Sequence, residues 1–421
     1  MVLTLKDAFT KTEKPQIAKI FWNGCPAHFF VATPTAPPEA PSWRRAWGLA
    51  AGRGLTVDQA LNATLGETIE RMSVWCRGVK DPLIQAGCHS GSDRRIQASC
   101  FLRFSDKQLA ELTTSWQVDV HSSFNFDFNS VDIGDMEFSR LECDEKIQVG
   151  ALVGLFGEEL RRGWPFQVSS SSGTAVRERF DDARETAVLE LVERDAVALW
   201  WYHRLVPDRV PQAVARAALP APLADWLYGE RGRTVRFLDL PTDLPATVVA
   251  AISADPDGSL PALGFGAALD PAAALVSAAL EAIQGEISLK LMADAQALPD
   301  PPAVPPLLGW SRRTTIDGAP FLAGRPSQGA SDALGRPALE RRPAVTFDDL
   351  AAAFARRGIA VYVADITRPE FAVPCARAIS PDLRDWAPRF APGRLYDVPV
   401  ALGLRPEGLG EDDLVGEAFV I

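Results

Sequence analysis

This sequence predicts a mixed fold of the α+β class (mixed α/β), and three observations carry that expectation. Three long alanine-rich stretches open on helix-capping signatures, and alternating or continuous apolar runs bounded by turn residues lie between them. No strict strand–helix–strand rhythm links the two kinds of segment. With 421 residues, 47% hydrophobic and 23% charged, the chain has ample material for a large core.

The first helix is expected to begin at Thr56-Val-Asp-Gln59, where the threonine hydroxyl and the glutamine amide can cap each other's backbone N–H groups, and to run to about Trp75. The second starts near Asp181-Asp182, with Asp182 and Glu185 as a similar cap, and reaches about His203. VRFLDL (235–240) and TVVAAISA (247–254) read as strands. The third helix opens on Asp270-Pro271, an N-cap followed by proline at the first helical position, and extends to about Met292. The segment 295–345, rich in Pro, Gly and Arg, reads as a long surface loop. TFDDLAAAFARR (346–357) is a short amphipathic helix, IAVYVADI (359–366) a strand, and the stretch from Pro381 a proline-punctuated extended tail. The expected division is an N-terminal segment, 1–44, and one domain, 45–421.

Composition excludes several classes. A net charge of −11 and a pI near 5.0 argue against nucleic-acid binding, which needs a basic surface. No apolar run reaches the roughly 18 residues of a membrane span, and no secretory signal precedes residue 30, so a cytoplasmic protein is expected. The six cysteines lack CxxC spacing and read as free thiols. Cys88-His89 is the sole close Cys/His pair, too little for a zinc site.

Chemistry concentrates on the three helices. They carry Leu65-Gly66-Glu67-Thr-Ile-Glu70-Arg71, Leu189-Glu190-Leu-Val-Glu193-Arg194 and Leu280-Glu281-Ala-Ile-Gln284. Residues three apart share a helix face. Among small and apolar neighbours these carboxylates need not meet open water, and buried carboxylates require cations. Arg71 and Arg194 supply part of that charge. All-oxygen ligands favour Mg²⁺ for the rest, and Mg²⁺ on carboxylates usually accompanies phosphate. A solvated face with local ion pairs stands as the alternative reading of the spacing. Ser169-Ser-Ser-Ser172-Gly173-Thr174 before the second helix could cradle phosphate with backbone N–H groups or be a polar turn. Gly52-Arg53-Gly54 is a weaker loop of the same kind.

Together these stretches resemble the YcaO family. SSSSGTAVRERFDDARETAVLELVERDAVALWW is similar to its second nucleotide-binding motif, and Gly52-Arg53-Gly54-Leu55-Thr56 through Glu67, Glu70 and Arg71 to its first. Gly264-Phe265-Gly266, Asp270-Pro271 and Ala279-Leu280-Glu281-Ala-Ile-Gln284 resemble its third, over roughly residues 45–421 in all. The resemblance implies a YcaO-type ATP-binding fold with helices packed on mixed sheets. It implies Glu67, Glu70, Glu190 and Glu193 as Mg²⁺–ATP ligands and Arg194 as a phosphate contact. Arg53, Ser172, Asp182, Glu281 and Gln284 would complete the nucleotide site, while Arg71 would support the first helix. Glu190, Glu193 and Arg194 are the expected catalytic residues.

ArgPheAlaProGlyArgLeuTyrAspValProVal (389–400) resembles the tail of cyclodehydratase "D" components of thiazole/oxazole biosynthesis on ribosomal peptides. That implies ATP-dependent activation of a backbone amide. A Cys, Ser or Thr side chain attacks the preceding carbonyl, whose oxygen takes phosphate and departs to leave an azoline. A precursor peptide, a separate leader-binding partner in a hetero-oligomeric complex, and a flavin-dependent azoline dehydrogenase are the implied partners, residues 1–44 being too short for a leader-binding module. Thioamide or macroamidine formation, or a nucleotide-binding scaffold without turnover, are the alternatives. The sequence departs from the family pattern at Arg53 (lysine), Ala63 (serine), Ser172 and Glu178 (asparagines), at Ser277 and Glu286, and in lacking a Pro-x-Pro-x-Pro end before Ile421.

Overall fold

The computed structural model describes residues 15–33, 49–85, 95–96, 98–116, 133–143, 145–157, 167–327, 339, 342–343 and 345–420. The Cys88-His89 pair, His121, Ile421 and parts of the 1–44 and 295–345 segments lie outside them.

Apolar alternation yields thirteen described strands: β1 (Gln16–Ile20), β2 (His28–Thr33), β3 (Ala50–Gly54), β4 (Arg95–Ile96), β5 (Asp135–Arg140), β6 (Lys146–Gly150), β7 (Thr174–Val176), β8 (Asp208–Arg209), β9 (Thr234–Asp239), β10 (Thr247–Ala254), β11 (Ala262–Ala268), β12 (Tyr362–Asp365) and β13 (Cys375–Ile379). They form three sheets, ordered β1-β2-β3, β11-β10-β9-β8 and β4-β6-β5-β12-β13-β7. All pairings within these sheets are antiparallel except β4 with β6.

The three expected helices are α1 (Val57–Val74), α2 (Phe180–His203) and α3 (Pro271–Ala295). Thr56 and Gln59 make the reciprocal cap of α1, and the Asp270 side chain accepts from Ala272 N–H ahead of Pro271. The expected cap of α2 is corrected: Arg179 is the N-cap and makes no side-chain bond, so Asp182 and Glu185 lie inside the helix. Helix α2 touches β13 and β7 on one side and β11 on the other, so it joins the two larger sheets. Its indoles Trp200 and Trp201 are fully buried. Helix α3 is the one described helix apolar and long enough to cross a membrane, yet it packs on β10 and β11.

Two expectations about loops change. Within 295–345 the chain forms α4 (Pro306–Arg313), which buries Leu307, Leu308 and Trp310. The tail after Pro381 contains α6 (Arg394–Ala401), with α5 (Phe347–Arg357) preceding it. Proline at the first turn starts α4, so its proline content marked a helix start rather than a loop.

Both G-x-G stretches are strands, and their glycines face a helix. A Cβ at Gly52 would stand 2.1 Å from Thr64 N and 2.5 Å from Ala60 O, on the backbone of α1. One at Gly264 would stand 2.0 Å from Ala282 N, and one at Gly266 2.3 Å from Ala274 O, on α3. Gly52-Arg53-Gly54 is therefore a packing strand, not a phosphate loop, and alternation turns Arg53 to the opposite face. Because overpacking against rigid backbone is destabilising, Gly264→Ala should lower the unfolding free energy by about 3 kcal/mol in urea melts. In the same melts Gly66→Ala, where a Cβ meets nothing within 4 Å, should raise it by roughly 0.5–1 kcal/mol.

Candidate active site

The strand–helix packing brings the glutamates of three helices to one place. Each helix seats one carboxylate on the backbone of a neighbouring segment. Glu70 of α1 accepts Val176 N–H at 2.8 Å, Glu190 of α2 accepts Gly173 N–H at 3.0 Å, and Glu281 of α3 accepts Phe265 N–H at 3.0 Å. Gly173 suits this contact because its φ is +80°, and a Cβ there would lie 2.3 Å from Ala378 O.

Arginines tie the array together. Arg194 bridges Glu190 (2.6 Å) and Glu193, and its side chain is 11% exposed. Arg53 donates to Gln284 Oε1 at 3.0 Å and pairs with Glu281 at 3.2 Å. Arg71 pairs with Glu67 at 2.7 Å, and both are about one-third exposed. Among the described residues Glu70 has a backbone N–H and no arginine as its bonded partner.

Burial outweighs the arginines here, although Arg177 favours the charged form of Glu70 and Arg377 that of Glu190. Burial raises the Glu70 pKa well above the ordinary carboxylate value, and nearby Glu67 adds to it. Glu193 is raised to about 7: burial pushes it up, Arg194 offsets part, and Glu281 and Glu190 push it further. Burial likewise raises Glu190 despite the opposing pull of Arg194. Among the described residues, a Cβ at the buried Gly66 would meet no atom beyond its own helix backbone within 4 Å, and one turn separates it from Glu70 on the same face.

Among the described residues no three His, Cys, Asp or Glu side chains form a ready-made metal cluster. The arginines account for this, since Arg194 sits between Glu190 and Glu193 and Arg71 holds Glu67. Ser172 is buried in the turn before β7; its N–H bonds Ser170 Oγ at 3.2 Å, so this N–H and that of Gly173 are engaged within the protein. Asp182 is exposed in the first turn of α2, where its carbonyl accepts the Thr186 hydroxyl at 2.8 Å; it takes no part in the bonds joining the array.

Several residues around the site carried no motif signal. Arg377 on β13 is buried behind the serine turn and donates to Ser172 O, Thr174 Oγ1 (3.1 Å), Ser169 Oγ (2.9 Å) and Gly154 O (3.1 Å). Asp385 accepts from Ser170 Oγ at 2.9 Å, and the Arg194 guanidinium lies 3.6 Å from the Trp386 ring centroid. Downstream, Arg394 of the APGRLYDVP stretch grips Asp195 at 2.6 Å and Asp243 at 2.7 Å. Arg377, Asp385 and Trp386 fall in no spacing that the sequence exposes, whereas Arg394 lies within the 389–400 stretch already singled out.

Solved structures share this architecture. A heterocyclase in complex with substrate and cofactor superposes with a TM-score of 0.77 at 25% identity, over 99% of this chain and 57% of that one. The heterocyclase TruD gives 0.64 at 25% identity, over 87% and 51%. YcaO from Methanopyrus kandleri, bound with AMPPCP and Mg²⁺, shares the fold at 17% identity with a TM-score of 0.60, over 90% and 88%. This chain thus spans about half the length of the two heterocyclase chains. No curated sequence is similar enough to count as a match. The family model described as YcaO cyclodehydratase, ATP- and Mg²⁺-binding, matches residues 51–384, the stretch holding all three glutamate helices, and the chain belongs to the YcaO family.

Proposed function

We propose that this chain is the ATP-using subunit of a peptide cyclodehydratase that converts Cys, Ser or Thr of a ribosomal precursor into thiazolines or oxazolines. The observation that carries this reading is the convergence of five glutamates from three helices, where burial pushes Glu70, Glu190 and Glu193 toward their neutral forms despite the arginines around them. Glu67, Glu70, Glu190 and Glu193 would hold Mg²⁺, whose preference is for oxygen ligands. Bound there, the cation neutralises phosphate charge during transfer, which is the main task in phosphoryl chemistry. With Glu190 and Glu193 on the cation, Arg194 would contact the phosphates from its present place beside them. Arg53, positioned by Glu281 and Gln284, faces the nucleotide, and Ser172 and Asp182 complete its surroundings.

In the reaction, the peptide side-chain nucleophile adds to the preceding carbonyl carbon and loses its proton. The resulting oxyanion takes the terminal phosphoryl group of ATP. Loss of that oxygen as phosphate, with the amide proton, leaves the C=N bond of the ring. The precursor leader is held by a partner protein in a hetero-oligomeric complex, and a flavin-dependent dehydrogenase can oxidise the azoline afterwards.

Incubation with precursor, leader-binding partner and Mg²⁺–ATP should remove the mass of one water per ring, read by mass spectrometry. Phosphate release without that loss would overturn cyclodehydration. Glu190→Gln and Glu193→Gln should each slow ring formation at least about 100-fold, the scale of losing one transition-state charge partner.

A second expectation concerns pH. Glu193 carries a proton below about 7, and this must leave before the carboxylate can ligate a cation. Affinity for Mg²⁺–AMPPCP should therefore rise by up to about tenfold per pH unit toward 7 and level off above it, by calorimetry. The Glu193→Gln variant should show a shallower slope, what remains coming from Glu70 and Glu190, which burial also raises. Without cation the sign for folding is opposite. The folded state keeps a proton that the unfolded chain releases near its ordinary 4.5, so denaturant stability should fall between 4.5 and about 7.

A further inference from the structure

Arg194 is fastened on one side by Glu190 and Glu193, but its Nε–H is buried without an acceptor among the described residues. What covers the guanidinium face is the indole of Trp386, 3.6 Å away at the centroid. That indole is itself backed by Phe419, stacked at 5.1 Å with an interplanar angle of 25°. Phe419 is wedged edge-on against Trp201 (5.0 Å) and Phe265 (5.5 Å). The Trp386 backbone is pinned too, since its carbonyl accepts the Tyr202 hydroxyl and its N–H donates to Asp385 at 2.7 Å. Asp385 in turn holds Ser170 of the turn whose Gly173 N–H binds Glu190. The residues 385–386 thus reach both ends of the Arg194–Glu190 pair.

We propose that Trp386 is a positioning residue for Arg194. Its ring holds the guanidinium in plane over the site by cation–π contact, so that Arg194 stays in place when Glu190 and Glu193 turn to a cation. Contacts of this kind contribute more when shielded from water, as here. Hydrogen bonds to the glutamates cannot do this task, because those acceptors are the ones the cation takes. An indole presents a fixed face and competes with nothing.

This inference rests on the nucleotide reading, and the test separates the two. Binding of Mg²⁺–AMPPCP is measured by calorimetry for the full chain, for Trp386→Met, which keeps apolar bulk without a ring, and for each in an Arg194→Lys background. Thermal melts check folding. The inference expects Trp386→Met to weaken binding at least tenfold in the parent and less than twofold beside Arg194→Lys. Trp386→Phe, which retains a ring, should lose no more than threefold in the parent and nothing in the lysine background. Should Trp386→Met fail to fold, Trp386→Leu in the same two backgrounds carries the cycle with the same expected losses. Equal losses in both backgrounds, or none in either, overturn the positioning role while leaving the nucleotide site standing. If the unaltered chain does not bind Mg²⁺–AMPPCP, the nucleotide reading falls and this inference with it.

Discussion

Everything near the centre of this molecule answers to one electrostatic constraint: several carboxylates share a small, poorly hydrated volume. An isolated buried carboxylate is strongly disfavoured, so each must find donors or surrender its charge. The chain uses both routes. Glu70, Glu190 and Glu281 each dock on a backbone N–H, and Arg194 spans Glu190 and Glu193. Burial still outweighs these donors at Glu70 and Glu193, which hold protons more tightly than ordinary glutamates. A group of acids that burial pushes toward their neutral forms is a standing demand for a cation.

The same economy of paired charge recurs elsewhere on these helices. Arg368 is fully buried and reaches Ser73 O at 3.0 Å and Trp75 O at 2.9 Å, tying down the last turn of α1 through Asp81. Arg394 holds Asp195, directly after Arg194, and also Asp243 from between β9 and β10. Arg231 makes a buried pair with Glu286 on α3 at 2.9 Å. Removing one partner from such a pair is strongly destabilising, because a charge is stranded away from water. Each glutamate helix is thus clamped by an arginine outside its own motif, which limits how far the acids can drift apart.

The three helices, their approximate limits and their glutamates were legible in the sequence because local chemistry encodes them. Capping at Thr56 and Asp270, and the three-residue spacing of the acids, need no tertiary information. The strand 247–254 was equally plain, being apolar but for Thr247 and Ser253 and wholly buried. The start of α2 was misplaced because Asp182 suits a cap, yet tertiary contacts begin the helix earlier, at Phe180. Arg377, Asp385 and Trp386 could not be read in advance, since bonded partners such as Gly154 and Ser170 lie 223 and 215 positions away and no periodicity announces them. Gly52-Arg53-Gly54 read as a phosphate loop because glycine signals close approach without saying to what. Here the neighbour is a helix backbone.

That packing bears on how such a site can change over generations. In 52–54 the two glycines belong to the helix contact and tolerate nothing larger, while the residue between them projects toward Gln284 and Glu281. The strand therefore separates two kinds of heritable information, one position wide. Drift at Arg53 can retune the polar lining without moving α1, because its side-chain bonds go to Gln284 and Glu281 on α3 rather than to α1. Drift at either glycine would displace a whole helix together with Glu67 and Glu70. A lineage can accordingly explore new chemistry at the middle residue while its scaffold stays frozen on both sides.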